Sequence, residues 1–386
     1  MLKKTDKILI TGGHLTCALA VLDGFLDSGF ENIVWVGAKY SQTDANNLSA
    51  EYKIITTQKK IKFINLNAGK LWRMVTPKTF FKAVKNFLLI PIGFFTACRI
   101  IHKEKPRVII SFGGFLALPI VLAAKIEHQK VVTHEQTITV GLANKVISLF
   151  ADKIFISFPS SAKYFPSKKV IYTGLPLRQD LFINKTNKFV FSNKNPIIYV
   201  TGGNQGANTI NWRLFEILPK LLTNANVIHQ VGTSTLTNDL LMAERVRNQL
   251  PPEIKDNYYF FDNSYETIGE IFSKANLIVS RSGANTIYEI MALGKSAVLI
   301  PIPWSSGQEQ LKNAKLLAKT GLGFILEQYD EMPPDELYQA ILNALHTLQN
   351  RCDFFGRPIL KAKKDARDRI KFNAIPLIIE NTLNII

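Results

Sequence analysis

A histidine at the end of the first predicted strand could do acid–base chemistry. His14 directly follows the turn Thr11-Gly12-Gly13, which comes after the apolar run at residues 7–10. The unperturbed pKa of histidine lies nearest neutrality, so His14 could act as a general base that removes a proton from a sugar hydroxyl. The structural alternative is that His14 caps the first turn of the helix that follows. The residues alone leave both possibilities open.

Two glycine turns could hold a phosphate group. Thr11-Gly12-Gly13 and Gly202-Gly203-Asn204-Gln205-Gly206 each stand between a predicted strand and a predicted helix, where backbone N–H groups and the helix dipole favour an anion. Neither turn has the pattern G-x-G-x-x-G, and Gly294-Lys295-Ser296 lacks the upstream glycine of a P-loop. A nicotinamide enzyme and an ATPase are therefore disfavoured. The alternative is that the glycines only make tight turns.

A polar cluster follows another predicted strand. His134-Glu135-Gln136 comes after the apolar residues 131–133 and precedes Gly141 and Asn144. A zinc-binding H-E-x-x-H pattern would need histidine at position 138, where the chain has Ile138. Hydrogen bonding to a polar ligand or to neighbouring loops therefore fits better than metal ligation.

Two further segments could bind a nucleotide sugar. In residues 282–289, Glu289 could accept hydrogen bonds from ribose hydroxyls while the helix N-terminus faces a diphosphate. Thr286 and Glu289 also have the spacing of a capping box. The amides and carboxylate of residues 301–310 could bind sugar hydroxyls, or that segment is a solvated loop. No Asp-x-Asp motif occurs in the chain, and we predict that no metal and no cofactor is needed.

These residues are positioned by short β-branched runs that alternate with helix-length segments, a pattern typical of doubly wound α/β folds. Predicted strands lie at residues 7–10, 32–36, 62–65, 107–111, 130–133, 153–156, 169–172, 197–201, 227–230, 258–261, 277–280 and 297–301. The strand, glycine turn and helix at the start recur from residue 197. We therefore predict two Rossmann-like domains that face a cleft, where ligands of such architectures bind.

The predicted domains have the following limits. The N-terminal domain takes residues 1–178, and a polar linker rich in Asn and Lys takes 179–196. The C-terminal domain takes 197–360. Residues 361–386 are basic and then apolar, which predicts a helix that returns to the first domain, with a membrane contact as the alternative.

Composition agrees with an ordinary folded enzyme. The 386 residues are 47% hydrophobic and 20% charged, enough for two or three globular domains. Three widely spaced cysteines indicate neither a disulfide framework nor a zinc cluster, which favours a reducing cytoplasm. We identify no signal peptide and no membrane-spanning stretch of 18 apolar residues.

The net charge of +17 favours an anionic partner, and it is unevenly spread. Residues 53–107 contain 13 Lys or Arg and a single acidic residue, Glu104. Within them, residues 80–101 form an apolar run with basic residues between, which fits docking on an anionic inner leaflet. A buried core helix surrounded by solvated lysines is the alternative. Nothing in the sequence matches an RNA- or DNA-binding motif, so we predict no nucleic-acid partner.

Five ordered blocks, over about residues 7–325, resemble those of the MurG-type UDP-N-acetylglucosamine:undecaprenyl-diphospho-muramoylpeptide N-acetylglucosaminyltransferases, members of glycosyltransferase family 28 with the GT-B fold. The blocks are Thr11-Gly12-Gly13-His14 with residues 18–21, His134-Glu135-Gln136 with Gly141 and Asn144, residues 202–207 with Asn211, residues 281–284 with Thr286 and Glu289, and Gln310 with Asn313-Ala314. The resemblance implies inverting transfer of N-acetylglucosamine from UDP-GlcNAc to an undecaprenyl-linked muramyl-pentapeptide, lipid I to lipid II, in peptidoglycan synthesis. It also implies a peripheral position on the cytoplasmic face of the bacterial plasma membrane, with residues 1–178 as the acceptor and membrane-associating domain and residues 197–360 as the UDP-sugar-binding domain.

The resemblance further implies roles for single residues. His14 would be the catalytic base. The residues implied to bind substrates are Thr11, Gly12, Gly13, His134, Glu135, Gln136, Thr137, Asn144, Arg178, Asn204, Gln205, Gly206, Tyr265, Ala284, Asn285, Thr286, Ile287, Tyr288, Glu289 and Gln310. Arg178 would meet a phosphate, and Glu289 would bind the ribose.

The chain departs from the family pattern at several positions. Leu9-Ile10 replaces a glycine pair before Thr11, Thr137 stands where the family has Asn, and Asn204 stands where it has Ser. Glu309 replaces a residue that is usually Gln or His. These departures bear on donor and acceptor choice. They leave open another UDP-sugar enzyme of the same fold, such as a glycolipid glycosyltransferase or a UDP-GlcNAc epimerase, and a UDP-sugar- or lipid-binding pseudoenzyme.

Overall fold

The structure is a computed structural model that describes residues 2–40, 48–69, 80–184, 186–263 and 267–385, except the side chains of residues 82, 83 and 85. The chain folds into two compact units, and each unit contains its own β-sheet. Unit 1 comprises residues 1–178 and 371–386, and unit 2 comprises residues 179–370.

Unit 1 contains a parallel sheet of seven strands in the order β3-β2-β1-β4-β5-β6-β7. Its strands are β1 (Ile8–Thr11), β2 (Ile33–Gly37), β3 (Lys62–Asn65), β4 (Val108–Ser111), β5 (Lys130–Glu135), β6 (Lys153–Ile156) and β7 (Val170–Tyr172). Its helices are α1 (Leu15–Asp27), α2 (Ala50–Lys53), α3 (Phe80–Glu104), α4 (Ala117–Ile126) and α5 (Leu142–Phe150), with a π-helical turn at Ile54–Gln58. The central strands β1, β2 and β4 are buried on both faces, which explains their continuous apolar runs.

Unit 2 contains a parallel sheet of six strands in the order β10-β9-β8-β11-β12-β13. Its strands are β8 (Ile197–Thr201), β9 (Asn226–Gln230), β10 (Tyr258–Phe261), β11 (Leu277–Ser280), β12 (Ser296–Leu299) and β13 (Gly323–Ile325). Its helices are α6 (Asn208–Leu221), α7 (Asp239–Gln249), α8 (Pro252–Lys255), α9 (Ile268–Lys274), α10 (Ala284–Leu293), α11 (Glu309–Ala318), α12 (Pro334–Gln349) and α13 (Ile359–Asp368). Helix α14 (Ala374–Leu383) belongs to unit 1.

Both sheets confirm the predicted doubly wound fold. In each, the strand order reverses beside the first strand, at β1 and β4 in unit 1 and at β8 and β11 in unit 2. Ligands of open α/β sheets bind outside the carboxyl ends of the strands at this position. All twelve predicted strands are present, and β13 was missed because it is a three-residue edge strand that begins at a glycine and exposes Phe324.

The polar stretch 179–196 packs on unit 2, although its composition predicts a linker. The buried carboxylate of Glu270 on α9 accepts hydrogen bonds from the Lys188 and Phe189 N–H groups, both at 2.9 Å, and from the Thr186 hydroxyl. The phenyl ring of Phe189 is buried. Hydrogen bonds to one carboxylate therefore hold a segment whose sequence is polar.

The two ends of the chain lie together in unit 1. Helix α14 packs against α1, and the N–H of Leu2 donates to the Leu383 carbonyl. Helix α13 packs against α10 in unit 2. The part of the chain that returns to unit 1 therefore begins at residue 371, ten residues after the position expected from the sequence.

Candidate active site

Glycine turns after β1 and β4 lie against each other in unit 1. Gly13 has φ of +140°, and a Cβ there would lie 2.5 Å from the Gly113 carbonyl oxygen. Gly113 has φ of +75° and packs on the side-chain amide of Asn144. The hydroxyl of Thr11 accepts from the Phe112 N–H at 3.4 Å. Gly113-Gly114 is not among the turns predicted from the sequence, although it has the same pattern of a strand, two glycines and a helix as the predicted turns.

His14 stands at the carboxyl end of β1, exposed to solvent, at the N-cap position of α1. Its side chain makes no capping hydrogen bond, so the interpretation of His14 as a helix cap is wrong. Although part of the residue is accessible to solvent, the protein atoms around the ring disfavour the charged imidazolium and lower the pKa of His14 to about 4. The imidazole is therefore neutral at physiological pH and able to accept a proton.

His134 has a different environment. The ring is fully buried, and Nε2 lies 3.2 Å from the Gly174 carbonyl oxygen and 3.3 Å from the Ser157 hydroxyl. Burial lowers its pKa to about 4, and the charge of nearby His14 lowers it further. A neutral His134 that donates from Nε2 to Gly174 joins the end of β5 to the segment after β7.

The carboxylate of Glu135 organises the loop after β5. It accepts from the Thr137 N–H at 2.9 Å, from the Thr137 hydroxyl at 2.7 Å and from the Asn144 amide at 2.8 Å. Burial raises the pKa of Glu135, and these hydrogen bonds act in the opposite direction. Gln136 is also buried. The structure therefore brings Glu135, Thr137 and Asn144 together, with the Glu135 carboxylate directed into its own loop, whereas His134 contacts Gly174 and Ser157.

Unit 2 contains a pocket of about 330 Å³ at the carboxyl ends of β8 and β11. It is lined by Gly202, Gly203, Gly206, Ala207, Asn208, Thr209, Arg281, Gly283, Thr286, Ile302, Trp304 and Gln310. The N-termini of α6 and α10 both border it, and neither has a side-chain cap. Two uncapped helix N-termini at one pocket favour an anionic ligand.

Arg281 adds a positive charge to this pocket. The residue is 8% exposed, and its guanidinium donates to the Ile300 carbonyl at 2.9 Å and to the Thr209 hydroxyl at 2.5 Å. Within the described residues, its Nε has no hydrogen-bond partner and the side chain forms no ion pair. Burial and the charge of Arg213 lower its pKa to about 10. A buried cation without a carboxylate needs a bound anion for compensation. From the sequence, Arg281 is identified only as part of the family motif at residues 281–284, with no role of its own.

Hydrogen bonds fix the position of the loop after β12 beside the pocket. The Gln310 side-chain oxygen accepts from the Ile302 N–H at 3.0 Å, and the Gln310 carbonyl accepts from the Ser282 hydroxyl at 2.7 Å. Trp304, which the sequence analysis did not select, lines the pocket and is 71% exposed. The loop is therefore ordered by internal hydrogen bonds, which a solvated loop would lack.

The N-terminus of helix α10 does not form the predicted capping box. Gly283 is its N-cap, so Thr286 lies inside the first turn, and that interpretation is wrong. Glu289 is buried on the same helix. Thr286 lines the pocket, whereas the buried side chains of Ile287 and Tyr288 do not.

The remaining predicted site residues lie as follows. The carbonyls of Asn204 and Gln205, in the exposed part of the second glycine turn, accept from Thr233 and Ser234. Ala284 and Asn285 form the first turn of α10, and Arg178 is the last residue of the first segment of unit 1. Tyr265 lies outside the described residues.

Comparison with known proteins identifies relatives of the whole chain. The profile of the glycosyltransferase family 28 N-terminal domain matches residues 11–156, and that of the C-terminal domain matches residues 197–370. A Clostridium perfringens UDP-N-acetylglucosamine–N-acetylmuramyl-(pentapeptide) pyrophosphoryl-undecaprenol N-acetylglucosamine transferase is 34% identical over 350 residues, 88% of this chain and 90% of that protein.

Two solved structures resemble this fold. The crystal structure of MurG from Acinetobacter baumannii has a TM-score of 0.64 at 22% identity and covers 98% of this chain and 99% of its own. Anabaena HepE in complex with UDP and glucose has a TM-score of 0.60 at 14% identity and covers 98% of this chain and 99% of its own. At these identities the likeness concerns the fold.

Proposed function

The chain belongs to glycosyltransferase family 28, and from this membership we propose that it transfers N-acetylglucosamine from UDP-GlcNAc to an undecaprenyl-diphosphate-linked N-acetylmuramyl-pentapeptide. This is the reaction in the name of the Clostridium perfringens relative, with which the chain shares 34% of residues over nearly its full length. The protein would thus supply the last membrane-bound precursor of peptidoglycan synthesis.

The anion pocket of unit 2 is the observation that carries this proposal. UDP-GlcNAc brings two phosphates, and the pocket offers the guanidinium of Arg281 and two uncapped helix N-termini. As the bond to the sugar breaks, negative charge develops on the UDP leaving group. Preorganised N–H groups and a fixed cation stabilise such charge better than water does, because they need not reorient. We assign the donor diphosphate to this pocket.

His14 supplies the proton acceptor of the proposed reaction. A hydroxyl of the acceptor sugar attacks the anomeric carbon, the bond from that carbon to the UDP oxygen breaks, and the hydroxyl proton passes to the neutral ring of His14. The configuration inverts because there is a single displacement. The glycine turns after β1 and β4 would bind the acceptor diphosphate through their N–H groups.

The test is transfer of labelled GlcNAc from UDP-GlcNAc to a lipid-linked muramyl-peptide acceptor, with and without EDTA. We expect product with the wild type in both conditions, and a loss of about 100-fold or more in kcat for His14→Ala. Glu289→Ala should raise the KM for UDP-GlcNAc, since Glu289 is assigned to the ribose. Binding of UDP-GlcNAc without any transfer would instead favour an epimerase or a pseudoenzyme.

We further propose that helix α3 docks the enzyme on the membrane that holds the lipid acceptor. Its first sixteen residues expose large apolar side chains at helical spacing, which form one stripe: Phe80, Phe81, Val84, Phe87, Leu88, Ile92 and Phe95. Its last turns are anchored in the core by Ala97, Ile100 and Ile101, so the core-helix alternative fits only that end. No helix within the described residues has the length and hydropathy to cross a bilayer.

The excess of basic residues in 53–107 supports docking on an anionic, cytoplasmic leaflet. We expect sedimentation with vesicles that contain phosphatidylglycerol, and weaker sedimentation with purely zwitterionic vesicles. The triple variant Phe81→Ser, Phe87→Ser and Phe95→Ser should lose vesicle binding while it retains UDP binding. Leu149→Ser, which changes a 65% exposed apolar residue on α5, is the matched control. Equal binding by both variants would overturn the assignment of α3.

A further inference from the structure

A carboxyl group lies under the first glycine turn, and the reaction described above does not use it. Glu51 on α2 packs directly against Gly12 at the end of β1 and against Gly37 at the end of β2. A Cβ at either glycine would overlap this carboxyl group. Both strand ends therefore depend on glycine because the side chain of Glu51 occupies the space.

Hydrogen bonds hold Glu51 in this position. Its Oε1 accepts from the indole N–H of Trp35 at 2.5 Å, and its carboxyl group also accepts from the Ala38 N–H. Ser49, the N-cap of α2, donates to the Ala38 carbonyl at 2.6 Å and accepts from the Tyr52 N–H at 3.0 Å. The short helix is thus fixed to the end of β2, and its glutamate is directed at β1.

The protonation state of Glu51 affects the glycine turn that it contacts. Burial raises the pKa of Glu51 to about 7, against the opposing effect of the Trp35 and Ala38 hydrogen bonds. A large fraction of the side chains is therefore uncharged at neutral pH. An uncharged carboxyl can support a turn that binds a phosphate without repelling the anion, whereas a fixed carboxylate would oppose it.

We propose that Glu51 is a positioning residue of the acceptor step, whose carboxyl group holds the Thr11–His14 turn in the shape that binds the acceptor diphosphate and presents His14. This rests on the proposed function of that turn. Glu51 acts through Gly12 and does not touch the reacting atoms. The structural alternative is that Glu51 only satisfies the buried N–H of Trp35, as buried indoles require.

The experiment compares Glu51→Ala and Glu51→Gln with Glu104→Gln in the full chain. Glu104 is a buried carboxylate of unit 1 that pairs with Lys7 and Lys62 at the amino ends of the strands, far from the turn in the sheet. Steady-state kinetics are measured with the lipid-linked acceptor and UDP-GlcNAc varied separately. Hydrogen exchange is measured for the peptide that contains residues 11–14.

We expect Glu51→Ala to raise the acceptor KM at least tenfold, to leave the KM for UDP-GlcNAc within twofold, and to increase exchange at residues 11–14. Glu51→Gln, which keeps size and hydrogen bonding, should restore most of the acceptor affinity, and Glu104→Gln should match the wild type. A rise of both KM values together, or a lower melting temperature with an unchanged acceptor KM, overturns the proposal. If the wild type transfers no sugar, the proposed function fails, and unchanged hydrogen exchange in Glu51→Ala would separately overturn the role of Glu51.

Discussion

At the scale of single residues, polar groups with similar sequence signals have different tasks. His14 and His134 both lie near the carboxyl ends of strands, and both have a pKa near 4. His134 is buried and hydrogen-bonds with Gly174 and Ser157, whereas the side chain of His14 makes no capping hydrogen bond. Glu135 directs its carboxylate at its own loop. Of these three residues, His14 is the one that we propose as the base.

The low pKa of His14 predicts its titration. Since the neutral ring is the base, kcat/KM should stay level as the pH falls to about 5 and then decrease tenfold per pH unit below about 4, where the imidazolium forms. NMR titration of the ring proton gives the pKa directly, with His14→Ala to assign the signal. A midpoint near 6.5, the ordinary value for histidine, would contradict the desolvated site.

The uncompensated charge of Arg281 predicts a role in nucleotide affinity. Arg281→Met should weaken UDP binding by about 10- to 150-fold, the range for a lost hydrogen bond to a charged group. Isothermal titration calorimetry with UDP measures this. Lys295→Met is the control, because Lys295 is a partly buried cation of the same unit that donates to the Ser273 and Ala275 carbonyls away from the pocket. Equal losses in both variants would indicate a general effect of charge.

At the scale of elements, both glycine turns require glycine because their backbones lie very close to neighbouring backbones. Gly202 packs on the start of α6, and Gly206 packs on the Val231 carbonyl and on Gly232 after β9. These contacts bring the N-terminus of α6 to the pocket. Side chains at these positions would displace the helix. The proposed anion site therefore depends on close backbone packing as well as on the helix dipoles.

Alanine substitutions at two glycines of the second turn distinguish the effect of backbone strain from the effect of steric overlap. Gly203 and Gly206 have φ of +84° and +83°, so alanine at either position costs about 1–2 kcal/mol of backbone strain. A methyl group at Gly203 meets open space, whereas one at Gly206 overlaps the Val231 carbonyl. We expect Gly206→Ala to lower the free energy of unfolding clearly more than Gly203→Ala, and to abolish UDP binding. Urea unfolding and UDP titration of both variants test this, and equal losses would contradict it.

At the scale of the whole molecule, the chain builds one doubly wound unit, then a second, and returns to the first for its last helix. The closest packing of α14 is on α1, where Gly24 leaves room for Ile375 and Ile379. Unit 1 therefore combines two segments of the chain, residues 1–178 and residues 371–386. The pocket that we propose for the donor, by contrast, is lined entirely by residues of unit 2.

This arrangement predicts that α14 can be weakened without loss of nucleotide binding. Ile378 is fully buried, and Ile378→Ala should cost about 2–4 kcal/mol of unit 1 stability through the cavity it leaves. The UDP affinity should stay within twofold of the wild type. Calorimetric unfolding and UDP titration check the two statements, and a matching loss of UDP affinity would contradict the independence of the pocket.

The sequence by itself determined the fold class, twelve of the thirteen strands in the described residues and the ordered motifs that identify the family, because buried parallel strands and glycine turns leave strong local patterns. The tertiary structure alone decided which residues meet: Glu51 with Gly12 and Gly37, Arg281 with Thr209, and Glu270 with the polar stretch after residue 178. These partners are 14 to 84 residues apart, and no local period encodes contacts between separate elements of the chain. The buried charge of Arg281 and the raised pKa of Glu51 follow from those contacts, since desolvation depends on neighbours that only folding supplies.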